Sequence, residues 1–265
     1  MSKTASKEVS VATSSTAVAN FIDDPDLWTG NTGFENITAS DLLIPRLTIL
    51  QKMSPQLDES KPEYIEGAKY GDFCDTATRE IYKELHIIPC FHAITYLEWA
   101  PRDSKKGLVK NHGMDSSILK SCSPDEKGRQ ILPNGNLIAK TGTWYVVNLT
   151  ANRRKNFIPL ASTQFKHSSR WLTLATSEKL KRPDGSEFTP KMWFRSWYAR
   201  TVEEQNAQGS WKSWNFVAGP NSIEIDPSKN LFRECDEFNK QAQDGFVQGD
   251  LSGEEGGHSD SSDRM

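Results

Sequence analysis

The chain has 265 residues, 36% hydrophobic and 25% charged, with a formal net charge of −3. That composition allows one large domain or two small ones, and no run approaches the ~18 apolar residues of a membrane helix. Cys74, Cys90, Cys122 and Cys235 are scattered, with no C-x-x-C pair, which argues for free thiols and against a disulfide framework.

In chain order, the first 20 residues are Ser-, Thr-, Ala- and Val-rich without periodicity and read as a mobile arm. They hold no apolar block long enough for a signal peptide, so the expected location is cytoplasmic. DDPDLWTGNTGFEN (23–36) is turn-rich. SDLLIPRLTILQKMS (40–54) suggests a short helix and then a strand, with Pro45 at the break. From about residue 64 the text turns β-like. ELHIIPCFHAITYLEWAPR (84–102) is the longest strand candidate, apolar on both faces, with Pro89 marking a bulge or an edge. Residues 103–136 are polar and irregular, an excursion over the surface. KTGTWYVVNLT (140–150) and NFIPLAST (156–163) read as a strand and its return, joined through ANRRKN.

At residues 162–181 the period changes to that of a helix, with Phe165, Leu172 and Ala175 on one stripe and Lys166 and Arg170 on another face. RPDGSEFTP breaks it. KMWFRSWYAR (191–200) and SWKSWNFVA (210–218) come next as strands. PSKNLFRECDEFNKQA (227–242) is a final helix, with Leu231, Cys235 and Phe238 inward. Beyond Asp244 the sequence is Gly, Ser and acids, a disordered tail. The expected fold is β-rich α+β, an OB-like antiparallel barrel with an internal helix and disordered termini. The expected division is a flexible arm (1–30), one binding domain (31–243) and an acidic tail (244–265).

Searching for chemistry turns up little. There is no Walker loop, G-x-G-x-x-G, G-x-S-x-G or H-E-x-x-H. The spacing of Cys74, Cys90, His92, His112 and Cys122 matches no zinc pattern. PDEK (124–127) superficially resembles a nuclease fragment, but it sits in a polar loop. The reading is therefore non-enzymatic, with no metal and no cofactor.

What stands out is charge and tryptophan. Residues 152–220 carry 12 basic and 5 acidic groups, net +7, whereas residues 221–265 carry 4 and 11, net −7. Six of the eight Trp lie between 144 and 214. Cations beside indoles suit single-stranded nucleic acid: phosphates are neutralised and bases stack, at about 1–3 kcal/mol per base. If KMWFRSWYAR is a strand, Lys191, Trp193, Arg195 and Trp197 share one face, against Met192, Phe194 and Tyr198. The expected DNA contacts are these four with Arg153, Arg154, Lys155, Lys166, Arg170, Trp171, Trp211 and Trp214. Each has a plainer reading: a lone Trp is more often core, Arg153–Lys155 can be a solvated turn, and Lys166 and Arg170 a solvated helix face. Trp211 and Trp214 read most safely as one buried and one exposed.

FENITASDLLIPRLTILQKMSPQL, YIEGAKYGDFCDTATREIY and IIPCFHAITYLEWAPR resemble the single-stranded DNA-binding proteins of short-tailed coliphages that carry their own RNA polymerase in the virion. The likeness covers about residues 33–220. It implies a protein of the host cytoplasm that coats single strands in replication and recombination beside phage replication proteins. It also implies activation of late transcription through host RNA polymerase. The tail, with Asp260, Asp263 and Arg264, is the natural polymerase contact. Ending SDSSDRM, it lacks the terminal aromatic of the common bacterial pattern. The tail is also expected to cover the Trp/Arg face until DNA displaces it, so that removing residues 245–265 tightens binding at low salt. The rivals are a strand-annealing recombinase, a metal-dependent nuclease and an interaction protein without DNA affinity.

Overall fold

The computed structural model describes residues 36, 43–104, 106–207, 209–245 and 248–249. In chain order it contains β1 (Leu43–Ile44), β2 (Leu47–Ile49), β3 (Phe73–Asp75), β4 (Ile81–Tyr82), β5 (Leu85–Trp99), β6 (Leu108–Asn111), β7 (Ser123–Pro124), β8 (Gln130–Ile131), β9 (Leu137–Asn148) and β10 (Arg154–Ala161). Helix α1 (Phe165–Ser177) comes next, then β11 (Leu180–Lys181), β12 (Glu187–Phe188), β13 (Arg195–Asn206), β14 (Gly209–Asn221), the single turn α2 (Ser222–Ile225), α3 (Asn230–Gln243) and β15 (Gln248–Gly249).

The frame is an eight-stranded sheet in the order β14-β13-β5-β9-β8-β7, with β10 also on β9 and β6 also on β5. Its spine is the antiparallel pair β5 and β9, running from Ile87 opposite Asn148 to Trp99 opposite Leu137. The register shifts between Pro89 and Phe91, because proline has no N–H to give the ladder.

Strand alternation supplies two cores. Leu85, Ile87, Trp144, Val146, Ile158, Leu160, Trp197 and Ala199 face one side, where they meet Leu47, Ile49 and Phe73 of the small sheet β2-β3-β4 and Trp171 of α1. Ile88, Cys90, Val147 and Phe157 face the other side, under Leu231, Cys235, Phe238 and Ala242. Those four recur along α3 at helical spacing and form one stripe. Each large apolar side chain so buried contributes roughly 1.5–3 kcal/mol.

The β-rich α+β class stands, but the sheet does not close into a barrel. β14 pairs only with β13 among the described residues. The gap towards β10 is spanned by α1, which touches β9, β10 and β14, and by β2, which touches β10 and β14. Among the described residues no ladder bonds cross it. The stretch read as a helix before Pro45 is strand where it is described, at Leu43–Ile44, while the strand expected after Pro45 is present as Leu47–Ile49. Met192–Phe194 is a 3-10 turn, with strand beginning only at Arg195. Residues 103–136 carry short strands and 3-10 turns. The expected arm (1–30) and nearly all of the expected tail lie outside the described residues. No described helix is long and apolar enough to cross a membrane.

Candidate nucleic-acid interface

α1 reaches the sheet through a glycine. A Cβ at Gly142 would lie 2.1 Å from Ser168 Oγ, so only glycine lets the helix approach this closely. Ser168 accepts a hydrogen bond from Trp144 Nε1 at 2.8 Å. Trp171, one turn on, then slides between Trp144 (ring centroids 4.0 Å apart) and Phe216 (3.8 Å, planes within 10°). His92 lies against Trp144 at 4.3 Å, and Trp214 lies against Phe216 at 5.6 Å and Phe73 at 4.7 Å. The result is a continuous aromatic column from β5 to β14. Burial pushes the His92 imidazole down to about 4, so it is neutral in the column.

The start of α1 is fastened to the β13–β14 hairpin. Gln164 donates to Ser213 Oγ at 3.0 Å and accepts from the Trp214 amide at 3.3 Å. Glu204 holds Lys166 at 2.8 Å and accepts from Ser213 Oγ at 2.8 Å, with His167 Nε2 at 3.3 Å. Burial alone would raise this carboxyl. The bonds from Lys166, Ser213 and His167 outweigh it and bring Glu204 down to about 2.

Between α1 and the hairpin an open groove of ≈ 500 Å³ is lined by Leu174, Glu178, Arg195, Trp197, Phe216, Ala218 and Gly219. A narrow crevice adjoining it adds His167, Arg170, Trp171 and Trp214. Trp171 and Trp197 are buried, and neither indole N–H has a partner. Arg195 is clasped by Glu178, with Nε 3.1 Å from the carboxylate, and donates to the Gly219 carbonyl at 3.0 Å. This pairing raises the guanidinium further above its usual range.

Five of the expected contacts therefore meet in one place: Arg170, Trp171, Arg195, Trp197 and Trp214. The other seven do not join them. The shared face of Lys191, Trp193, Arg195 and Trp197 does not exist, because the 3-10 turn puts Trp193 in the α3-side core and Trp197 in the α1-side core. Lys191 lies over the Trp193 ring and pairs with Asp236 of α3. The faces of the strand itself are reversed from the expectation: Trp197 and Ala199 are buried, while Tyr198 is half-exposed and stacks on His86 at 4.4 Å. Burying indoles outweighs the tidy alternation of cations.

Arg153, Arg154 and Lys155 fan out instead of clustering. Arg153, at φ 63°, reaches Asp226 (3.3 Å) and Glu234 (3.7 Å). Arg154 reaches Glu80 (2.5 Å) and Asp75 (3.5 Å), and Lys155 donates to Gln241 at 3.2 Å above the Phe238 ring. Lys166 is taken by Glu204. Trp211 is half-buried and Trp214 buried. Asp260, Asp263 and Arg264 lie outside the described residues.

Sequence reading missed which cations stay unpaired. Arg170, Lys179, Lys181 and Arg182 are exposed, and none forms an ion pair among the described residues. They lie on α1 and on the β11–β12 hairpin after Glu178. The only signal for them was local: no acid stands on α1. Tyr70 was also passed over; it lies between Lys52 (5.4 Å) and Lys212 (5.2 Å). No group of three or more His, Cys, Asp or Glu among the described residues has the arrangement of a metal site.

A family model described as "Pam3 phage gp34-like protein" matches residues 11–248. No curated protein and no solved structure matches the chain.

Proposed function

We propose that this chain, which belongs to the Pam3 phage gp34-like family and is thus a phage protein, binds single-stranded DNA along the groove between α1 and the β13–β14 hairpin. The observation that supports this reading is an aromatic-lined groove with unpaired Arg170 at its crevice, followed in the chain, directly after the groove residue Glu178, by the exposed and unpaired Lys179, Lys181 and Arg182. Phosphates run along the cations and release counterions. Bases lie against the exposed Leu174 and Ala218 of the groove, since Trp197 and Phe216 beneath them are buried and the column is closed to intercalation. The role this implies is coating of single strands in phage DNA replication and recombination.

The test is fluorescence anisotropy of a labelled oligo-dT, with a duplex control, at several salt concentrations. Binding of the single strand that weakens steeply with salt is expected. Folded protein that leaves the oligonucleotide free at low salt would sink the proposal. Accelerated pairing of complementary strands would favour an annealing recombinase, and Mg²⁺-dependent loss of strand a nuclease.

A further inference from the structure

β14 is a long edge strand with an unusual middle. Edge strands are usually blunted by charge, proline, shortness or cover. The far end of the sheet obeys: β7 is two residues long and contains Pro124. β14 has 13 residues, and from Ser213 to Pro220 none is charged. Val217 and Ala218 are exposed.

The first part of this edge is already capped. The Gln51 amide accepts from the Lys212 N–H at 3.0 Å and donates to the Lys212 carbonyl at 2.8 Å, as a neighbouring strand would. Gln164 takes the Trp214 N–H. The backbone groups of Lys212 and Trp214 therefore point away from β13. Register is continuous from Asn206–Gly209 to Trp197–Ala218. By alternation, the N–H and C=O of Phe216 and Ala218 point outward too, and no described residue bonds them. Beyond Ala218 the register shifts, and Pro220 has no N–H to offer. The open stretch is bounded on both sides and centred on Val217.

We propose that a second copy of this chain pairs with this edge, β14 to β14, antiparallel about a two-fold axis at Val217. That axis sets Phe216 opposite Ala218 of the other copy twice over, and each is an outward-facing, doubly bonding pair. Four inter-strand hydrogen bonds result. The large Phe216 meets the small Ala218, Val217 meets Val217 across a close non-bonded pair, and no charges oppose one another. An isologous contact needs self-complementarity of this kind. The capped N–H of Trp214 and the missing N–H of Pro220 then stand opposite each other, so the ladder ends where neither side has a donor to spare. Both grooves lie along the new strand pair. The inference does not rest on the DNA reading.

Sedimentation velocity of the full chain over a concentration series is the experiment, carried to roughly 0.2 mM because so small an interface associates weakly. A concentration-dependent dimer is expected. V217K and V217E should each weaken it about tenfold by placing like charges opposite, and an equimolar mixture of the two should restore it. Val217 is exposed, so both variants should keep the unmodified fold by circular dichroism. Under mild oxidation V217C should cross-link, since close-pair Cα atoms lie about 4.5 Å apart. N215C, which the axis places on the order of 13 Å from its counterpart, should not. A chain that stays monomeric throughout overturns the proposal. So does a V217K variant that dimerises like the parent, or N215C cross-linking as readily as V217C.

Discussion

The two helices covering the sheet meet similar material and treat it in opposite ways. On the α3 side, Trp193, Lys191 and Arg153 are met by Asp236 and Glu234 of α3 and by Asp226 before it. The indole is covered and the exposed cations are paired. On the α1 side, Trp144, Trp197 and Trp214 are met by a helix that brings Trp171 and carries Lys166, His167 and Arg170 but no acid. Glu204 and Glu178, from outside the helix, take Lys166 and Arg195, but an open groove and unpaired Arg170 remain. The comparison teaches that tryptophan beside arginine does not mark a surface. The charge of the element packed over the pair decides whether the surface stays available.

Removing the column's centre should break the α1 side most severely. Trp171→Ala takes out a fully buried indole stacked on two rings and should cost about 3–5 kcal/mol in urea unfolding. Next in size is the effect on DNA. Replacing Arg170, Lys181 and Arg182 together by Glu should lower oligo-dT affinity about tenfold or more at low salt and flatten the log–log salt slope by roughly 2, with an unchanged melting curve.

A smaller effect belongs to pH. His92 is held low, near 4, by burial. The unfolded chain therefore binds the extra proton first, and stability falls as pH drops from about 6.5 towards 4. Glu204, lowered to about 2, stabilises above its unfolded value near 4.5, and that contribution is lost as pH falls towards 2. Melting temperatures against pH should show the upper limb reduced in H92Q and the lower limb reduced in E204Q. Smallest of all, Lys191→Ala on the α3 side should cost under about 1 kcal/mol, since its exposed pair with Asp236 is screened. Its DNA affinity should match the parent's; a clear loss would extend the interface to the α3 side and undo the contrast.

Much of the frame was legible because periodicity reports burial directly. The two covered faces of β5, the bulge at Pro89, the β9–β10 pair and the Leu231, Cys235 and Phe238 stripe of α3 follow from alternation and helical spacing alone. KMWFRSWYAR misled because one 3-10 turn shifts the phase of the strand that begins at Arg195. Nor could the local charge sum show that Lys191 meets an acid 45 residues later, or Arg153 one 73 residues later. Part of the site was visible as residue types, namely Arg170, Arg195 and the indoles. That Lys179, Lys181 and Arg182 keep their charge unpartnered is a property of the tertiary arrangement.

The aromatic column has an optical consequence. Indoles in van der Waals contact share their electronic transitions, so Trp144 and Trp171 should give an exciton signature in circular dichroism that vanishes once α1 leaves the sheet. Their emission should be largely indifferent to a ligand in the groove. The molecule therefore carries its own gauge of helix docking, readable without a label and separable from changes at half-buried Trp211.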